Sequence, residues 1–177
     1  MKLLVLMILP LAIGCSSIQQ DSTIVTDGMH RKLPSAEIKT VLWGNDGEVA
    51  NAATVWLQEM GLTVIDRAQL HRMLNKKELP VQHVTDHVLF SASAILGAEQ
   101  IIYIATGDYS VALRGVELKT QDIMWMGTAK FINPSGAMTP QREVALARHA
   151  LATAFGCRPP GKYDIRSEPM CKKQKDN

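Results

Sequence analysis

The sequence lacks the features on which several functional classes depend. A formal net charge of +2 over 177 residues leaves no basic excess for a nucleic-acid partner. No glycine-rich phosphate loop is present, and the Pro134-Ser135-Gly136 segment lacks the glycine two residues before the serine that a nucleophile elbow needs. The sequence therefore predicts no nucleic-acid binding, no cofactor and no enzymatic activity.

Long apolar runs are also lacking. The longest one follows Lys2 and covers only residues 3–13, whereas a membrane-spanning helix needs about 20 residues. A lysine, a short apolar run and small residues before a cysteine indicate a secretory signal sequence. The segment Ala12-Ile13-Gly14-Cys15 resembles the lipobox of bacterial lipoproteins, although leucine is more usual where Ala12 stands. The resemblance implies that residues 1–14 are removed and that Cys15 carries lipid, palmitate included. The alternative is an ordinary signal peptide followed by a cysteine.

The remaining cysteines, Cys157 and Cys171, form an even pair. In an exported protein such a pair indicates a disulfide, which here closes a short loop and contributes about 3 kcal/mol through the unfolded state. Free thiols, a redox pair or a metal pair are the alternatives. The spacing of the two cysteines fits neither a CxxC motif nor a zinc knuckle.

The composition divides the chain into four parts. After the signal peptide, residues 15–35 are polar and poorly patterned, which predicts a tether and an irregular lead-in. Residues 36–156 carry the periodic patterns of one domain, and residues 157–177 form a polar tail that the disulfide loops back. The 163 residues beyond the signal peptide suffice for a single domain with a real core.

Hydrophobic periodicity predicts an α/β unit at the start of the domain. Residues 37–43 have a strand pattern, Asn45-Asp46-Gly47-Glu48 has the spacing of a capping box that begins a helix, and residues 62–65 form a second strand. Such a βαβ unit has parallel strands with the helix on one face. Two more helices are predicted, one capped by Asp66 and one over residues 86–96.

From Gln100 onward the period changes to that of strands. Residues 101–105, 111–118 and 123–132 predict an antiparallel meander. On its last strand, alternation assigns Trp125 to one face and both Met124 and Met126 to the other. A last helix begins at Thr139. The predicted fold is α/β, with a mixed β-sheet, an N-terminal βαβ unit, a C-terminal antiparallel meander and packed helices.

Three segments in this order, residues 61–70, 95–102 and 120–125, resemble the turns of the family of the curli secretion channel CsgG. Pore-forming members carry two long hairpin insertions, for which the tight connections at Gly107-Asp108 and at residues 133–136 leave no room. The resemblance therefore points to relatives that form no membrane barrel, such as PelC and LpoB. It implies a CsgG/LpoB-like fold and assembly through protein contacts.

Candidate contact residues follow from this resemblance and from the strand pattern. Asp66 and Arg67 are candidates for a subunit contact, while Met124 and Met126 make one strand face more apolar than solvent favours. Asp66 and Glu48 are better explained as helix caps than as paired catalytic carboxylates.

The histidines are the candidate metal ligands of the sequence. His83 and His87 are four residues apart, which suits a metal only if both lie on one helical turn, and a helix starting between them predicts no metal site. His71 and His149 are assigned to exposed helix faces.

The sequence thus predicts a lipid-anchored accessory or assembly subunit of an envelope secretion or export machine. It is expected in the periplasm, attached to the outer membrane because Ser16 rather than aspartate follows Cys15. It is expected to act by binding protein partners of the envelope, and these can include further copies of itself in a homo-oligomer. Two alternatives stay open, a lipoprotein activator of a peptidoglycan synthase and an envelope hydrolase with an unrecognised site.

Overall fold

A computed structural model describes residues 23–31, 37–44, 47–75 and 84–157 of the chain. The described residues form, in chain order, the elements β1 (Thr23–His30), β2 (Lys39–Gly44), α1 (Glu48–Glu59), β3 (Thr63–Val64), α2 (Arg67–Asn75), α3 (Asp86–Ile95), β4 (Gln100–Gly107), β5 (Ser110–Glu117), β6 (Ile123–Ile132) and α4 (Pro140–Ala154). The predicted signal peptide, Cys15 and Cys171 lie outside the described residues.

All six strands belong to one mixed sheet in the order β1-β6-β5-β4-β2-β3. β2 pairs in parallel with both β3 and β4, and β4, β5 and β6 pair as an antiparallel meander. β1 pairs antiparallel with β6. The predicted fold class is confirmed, because β2, α1 and β3 form the βαβ unit and the meander follows it.

Local sequence explains where two of the four described helices begin. The carboxylate of Asp66 caps α2 by accepting a hydrogen bond from the amide of Ala68 at 2.9 Å. Thr139 caps α4 ahead of Pro140, the first residue of that helix. The capping box predicted for α1 is wrong, because Gly47 is the N-cap without a side-chain hydrogen bond and Glu48 begins the helix.

The sheet separates two apolar cores. Helices α1 and α4 cover one face, where Trp125, Leu57 and Leu151 are completely buried. Helices α2 and α3 cover the other face, but they pack only over β2 and β4, where Leu70 and Leu89 meet Val41 and Ile101.

Helix α4 lies unusually close to the sheet. A Cβ atom on Gly127 of β6 would overlap the backbone carbonyl of Ala150, and one on Gly28 of β1 would come within 2.7 Å of the Thr153 methyl group. Glycines at neighbouring positions on β1 and β6 therefore allow the helix backbone to approach both strands.

Strand β1 corrects the sequence analysis. Residues 15–35 were expected to form a tether and an irregular lead-in, but Thr23–His30 forms a regular eight-residue strand. The sequence of β1 shows no clear alternation of apolar and polar residues, because it contains several polar residues and Gly28. An edge strand such as β1 tolerates this composition, since part of its surface stays exposed to solvent.

The polar residues of α4 are a second correction. His149 was assigned to an exposed face, yet it is 6% exposed and its neighbour Arg148 is 3% exposed. Helix α4 packs against three strands, β6, β1 and β5, and also against α1. Its buried surface is therefore wider than its apolar stripe and includes Arg148 and His149. The Arg148 guanidinium lies 5.9 Å from the centre of the Trp56 ring, and Trp56 packs against the core beneath α1 and α4.

Candidate functional site

The helices leave part of the sheet uncovered by any described element. The apolar cluster of α2 and α3 extends over β2 and β4 and does not reach β5, β6 or β1. The side chains on that part of the sheet share one face by strand alternation, and we call them the open face. The open face consists of Val25, Asp27 and Met29 on β1, Met126, Thr128 and Lys130 on β6, and Ser110, Ala112 and Arg114 on β5.

The open face combines apolar and charged side chains. Val25 is 39% exposed, Met29 and Met126 are half-buried neighbours on adjacent strands, and Asp27 and Lys130 are exposed. A shallow depression of about 590 Å³ runs over the open-face residues at the ends of these strands, with Val25 and Lys130 among those that line it. Methionine and arginine are enriched in protein interfaces, in which a polar rim surrounds a more apolar centre.

One border of the open face is fixed by an aromatic contact. The Arg114 guanidinium lies 4.6 Å from the centre of the Tyr103 ring, and the Tyr103 hydroxyl donates a hydrogen bond to Asp86 at 3.0 Å. Burial and the hydrogen bond to the Asp86 carboxylate together raise the pKa of Tyr103 to about 12. Asp86 is the first residue of α3, so this contact joins the helix to the sheet where the open face begins.

Tyr103, Arg114 and Asp86 were not predicted as site residues, although the sequence carries a signal for the pairing of Tyr103 with Arg114. A two-residue turn between Gly107 and Ser110 fixes the hairpin register and places Tyr103 opposite Arg114. The hydrogen bond to Asp86 joins residues 17 positions apart and has no comparable sequence signal.

Of the two methionines selected as interface candidates, only Met126 lies on the open face. Met124 is 5% exposed and packs in the core beneath α1 and α4. The ladder passes from the pair Gly115 and Trp125 to the pair Val116 and Ile123, so Met124 is the extra residue of a β-bulge. Simple alternation assigned Met124 to the face opposite Trp125, and that assignment is wrong because of the bulge.

The other two interface candidates lie elsewhere on the molecule. Asp66 and Arg67 line a depression of about 680 Å³ between α1 and α2, together with His71 and Arg72. They lie beside β3, at the edge of the sheet opposite β1. The structure therefore does not bring the four predicted contact residues together.

The cysteine and histidine predictions are covered only in part. Cys157 lies three residues after the end of α4 and is disulfide-bonded, with its partner outside the described residues, so the pairing with Cys171 stays a prediction. His83 also lies outside them, and His87 is exposed in the first turn of α3. Within residues 23–31, 37–44, 47–75 and 84–157, no group of three His, Cys, Asp or Glu residues is placed to hold a metal ion. No helix in the same ranges is long and apolar enough to cross a membrane.

Comparison with known proteins finds similarity to solved structures. No family model matches the chain, and no curated protein matches it. The LpoB C-terminal domain from Salmonella enterica aligns with a TM-score of 0.42 and 18% identity over 59% of this chain and 88% of that one. A PelC dodecamer structure from Paraburkholderia phytofirmans aligns with a TM-score of 0.45 and 10% identity, over 77% and 99%. Lipoprotein GNA1162 from Neisseria meningitidis gives 0.43 and 18%, over 55% and 84%.

Proposed function

We propose that this chain is a lipid-anchored accessory subunit of the bacterial cell envelope that acts by binding other proteins and not by catalysis. The open face is the observation that carries the proposal. On it, half-buried Met29 and Met126 adjoin each other, Arg114 lies opposite Met126, and Asp27 and Lys130 lie further along the strands. A partner that covers the two methionines and pairs with the charges around them would complete the burial of the sheet.

The proposed membrane attachment comes from the sequence. The lipobox-like segment ending at Cys15 predicts acyl chains at that cysteine, and stable anchoring needs more than one chain. Ser16 favours the periplasmic side of the outer membrane. Only seven residues separate Cys15 from Thr23, the first residue of β1, so an anchored domain would lie close to the bilayer.

The resemblance to the CsgG family favours an export or secretion machine as the larger assembly. Proteins embedded in or attached to the same membrane are its expected partners. The open face would then be the contact surface of a subunit, and assembly would require no membrane-spanning segment in this chain.

Site-specific photo-cross-linking in cells tests the protein-binding role. A photoreactive residue at Met126 is expected to give a discrete protein adduct, whereas one at Val55 is not. Val55 is 52% exposed on α1 and lies on the other side of the sheet, so it is a matched exposed control. Adducts of equal yield at both positions, or at neither, would contradict a role for the open face.

The anchor has a separate test. Intact-mass measurement of the mature protein is expected to show the mass of acyl chains on residue 15, and a Cys15→Ala variant is expected to retain its uncleaved, unlipidated N-terminus. A mature wild-type chain without added lipid would disprove the anchoring while leaving the cross-linking result to stand on its own.

A further inference from the structure

The two edges of the sheet differ in a way that points to pairing. Edge strand β3 has two residues, too short to offer a template. Edge strand β1 has eight, with an unbroken register against β6 and no proline or lysine. Proteins usually shorten, bend or charge an exposed edge to prevent pairing, and β1 shows only one charged residue, Asp27.

The outer side of β1 presents a regular set of hydrogen-bonding groups. The amide of Arg31, which continues β1, donates to the carbonyl of Met124 at 2.7 Å. Because backbone groups alternate along a strand, the odd-numbered residues of β1 bond to β6. The even-numbered residues Ile24, Thr26 and Gly28 therefore direct their N–H and C=O groups away from the sheet, where no described strand pairs with them.

Charge and alternation together restrict the register that two copies of β1 can adopt. Antiparallel pairing of a strand with itself must place one residue opposite its own copy, so that both copies keep the same faces. Centring on Asp27 would put two carboxylates directly opposite each other, which is destabilising. Centring on Thr26 instead places Asp27 of one copy opposite Val25 of the other, and Val25 is the ladder partner of Lys130.

In this register each copy complements the charge of the other. Asp27 of one copy lies two strand spacings, about 10 Å, from the Lys130 backbone of the other and on the same face. A lysine side chain spans most of that distance. The symmetry forms this pair twice, and residues 24, 26 and 28 of the two copies exchange backbone hydrogen bonds.

We propose that two copies of this chain associate through β1, antiparallel and centred on Thr26, to form one continuous sheet of twelve strands. The two open faces then lie side by side on the same surface, because residues opposite each other in a ladder share a face. This association does not involve the lipid anchor. It uses Asp27 and Lys130 of the open face and leaves Met29, Met126 and Arg114 for a partner.

A charge-swap experiment on the full-length chain in detergent tests the register by sedimentation equilibrium. Asp27→Lys and Lys130→Glu each place like charges together between copies twice per dimer, and also within each copy, where residues 27 and 130 are diagonal ladder neighbours. Each is expected to weaken dimerisation about tenfold. The double variant D27K/K130E exchanges the two charges and is expected to restore the wild-type constant. Thermal melts of all four proteins measure any change in folding. A wild-type chain that stays monomeric, or a double variant no better than D27K, would overturn the proposal.

Cysteine cross-linking gives an independent measurement. In the proposed register the two Thr26 Cα atoms are about 5.5 Å apart, within disulfide range, so a Thr26→Cys variant is expected to form a covalent dimer on mild oxidation. Thr23→Cys on the same strand is the control, because its two copies would lie about 20 Å apart. Equal cross-linking of both variants, or none at residue 26 above the wild-type background, would refute pairing centred on Thr26.

Discussion

Replacing Gly127 with alanine tests the close contact between α4 and the sheet. The added Cβ atom would overlap the carbonyl oxygen of Ala150 and lie 2.9 Å from the Ala154 methyl group. Because the obstructing oxygen belongs to the helix backbone, no rotamer change relieves the overlap. The helix must therefore move away from β6, and this movement disturbs the packing of Trp125 and the other core residues between α4 and the sheet.

The magnitude follows from two opposing effects. Overpacking of a core costs about 1–3 kcal/mol, and an immovable backbone obstacle favours the upper end. A Gly-to-Ala change also reduces the entropy of the unfolded chain, which offsets about 0.5–1 kcal/mol. We therefore expect Gly127→Ala to lower the free energy of unfolding by about 2 kcal/mol and Tm by about 4–8 °C.

Urea denaturation followed by circular dichroism measures this change against two matched variants. Gly28→Ala meets the mobile Thr153 methyl group at 2.7 Å and the Thr153 carbonyl oxygen at 3.1 Å, so an intermediate loss is expected. Gly107→Ala meets only Ser110, whose hydroxyl can rotate away, so its stability should be unchanged or slightly raised. Equal stability of all three variants would refute the close approach of α4.

Three further variants probe buried polar groups and a helix cap. Burial, aided by the Arg148 charge, lowers the pKa of His149. The contribution of His149 to the free energy of unfolding should therefore be constant above about pH 7.5 and fall as the pH drops below about 6.5, and His149→Leu should flatten this part of the profile in urea titrations. Trp125→Phe removes the indole N–H that donates to Gln100 at 3.3 Å, and calorimetry should show a loss of about 2 kcal/mol; an unchanged Tm would contradict that buried hydrogen bond. Thr139→Ala removes the α4 cap, whose hydrogen bond of 3.4 Å is long, so about 0.5 kcal/mol should be lost, and a gain in helicity would argue against the cap.

Most of the fold follows from local sequence patterns. The βαβ unit, the meander and α4 were predicted because their apolar residues recur at the period of one element and end at glycine or a cap. The Asp66 cap was predicted for the same reason, since its carboxylate needs only an amide two residues away.

The features that the sequence did not predict depend on contacts between distant segments. β1 is a strand because β6 pairs with it, and its own residues show little alternation. Met124 lies in the core because β6 has a bulge opposite β5, and no residue in the sequence indicates that bulge. Arg148 and His149 are buried because α4 contacts both the sheet and α1.

The candidate site also depends on contacts between segments that are distant in sequence, so the sequence predicted it only in part. The sequence selected Met126, which lies on the open face, but could not define the face itself. Its boundary depends on how far α2 and α3 extend over the sheet, and hence on the packing of Leu70 and Leu89 over β2 and β4.

The position of β1 also determines the order in which the chain can fold. β1 is the first described strand to be synthesised, yet its partner β6 follows much later: Asp27 and Thr128, which face each other in the ladder, are 101 residues apart in sequence. Closing so long a loop costs entropy that only the assembled meander and α4 can offset. We therefore expect β1 to join the sheet last during folding and to show the fastest amide exchange of the long strands. Until β1 joins, β6 presents an unpaired edge to any other copy of the chain folding beside it.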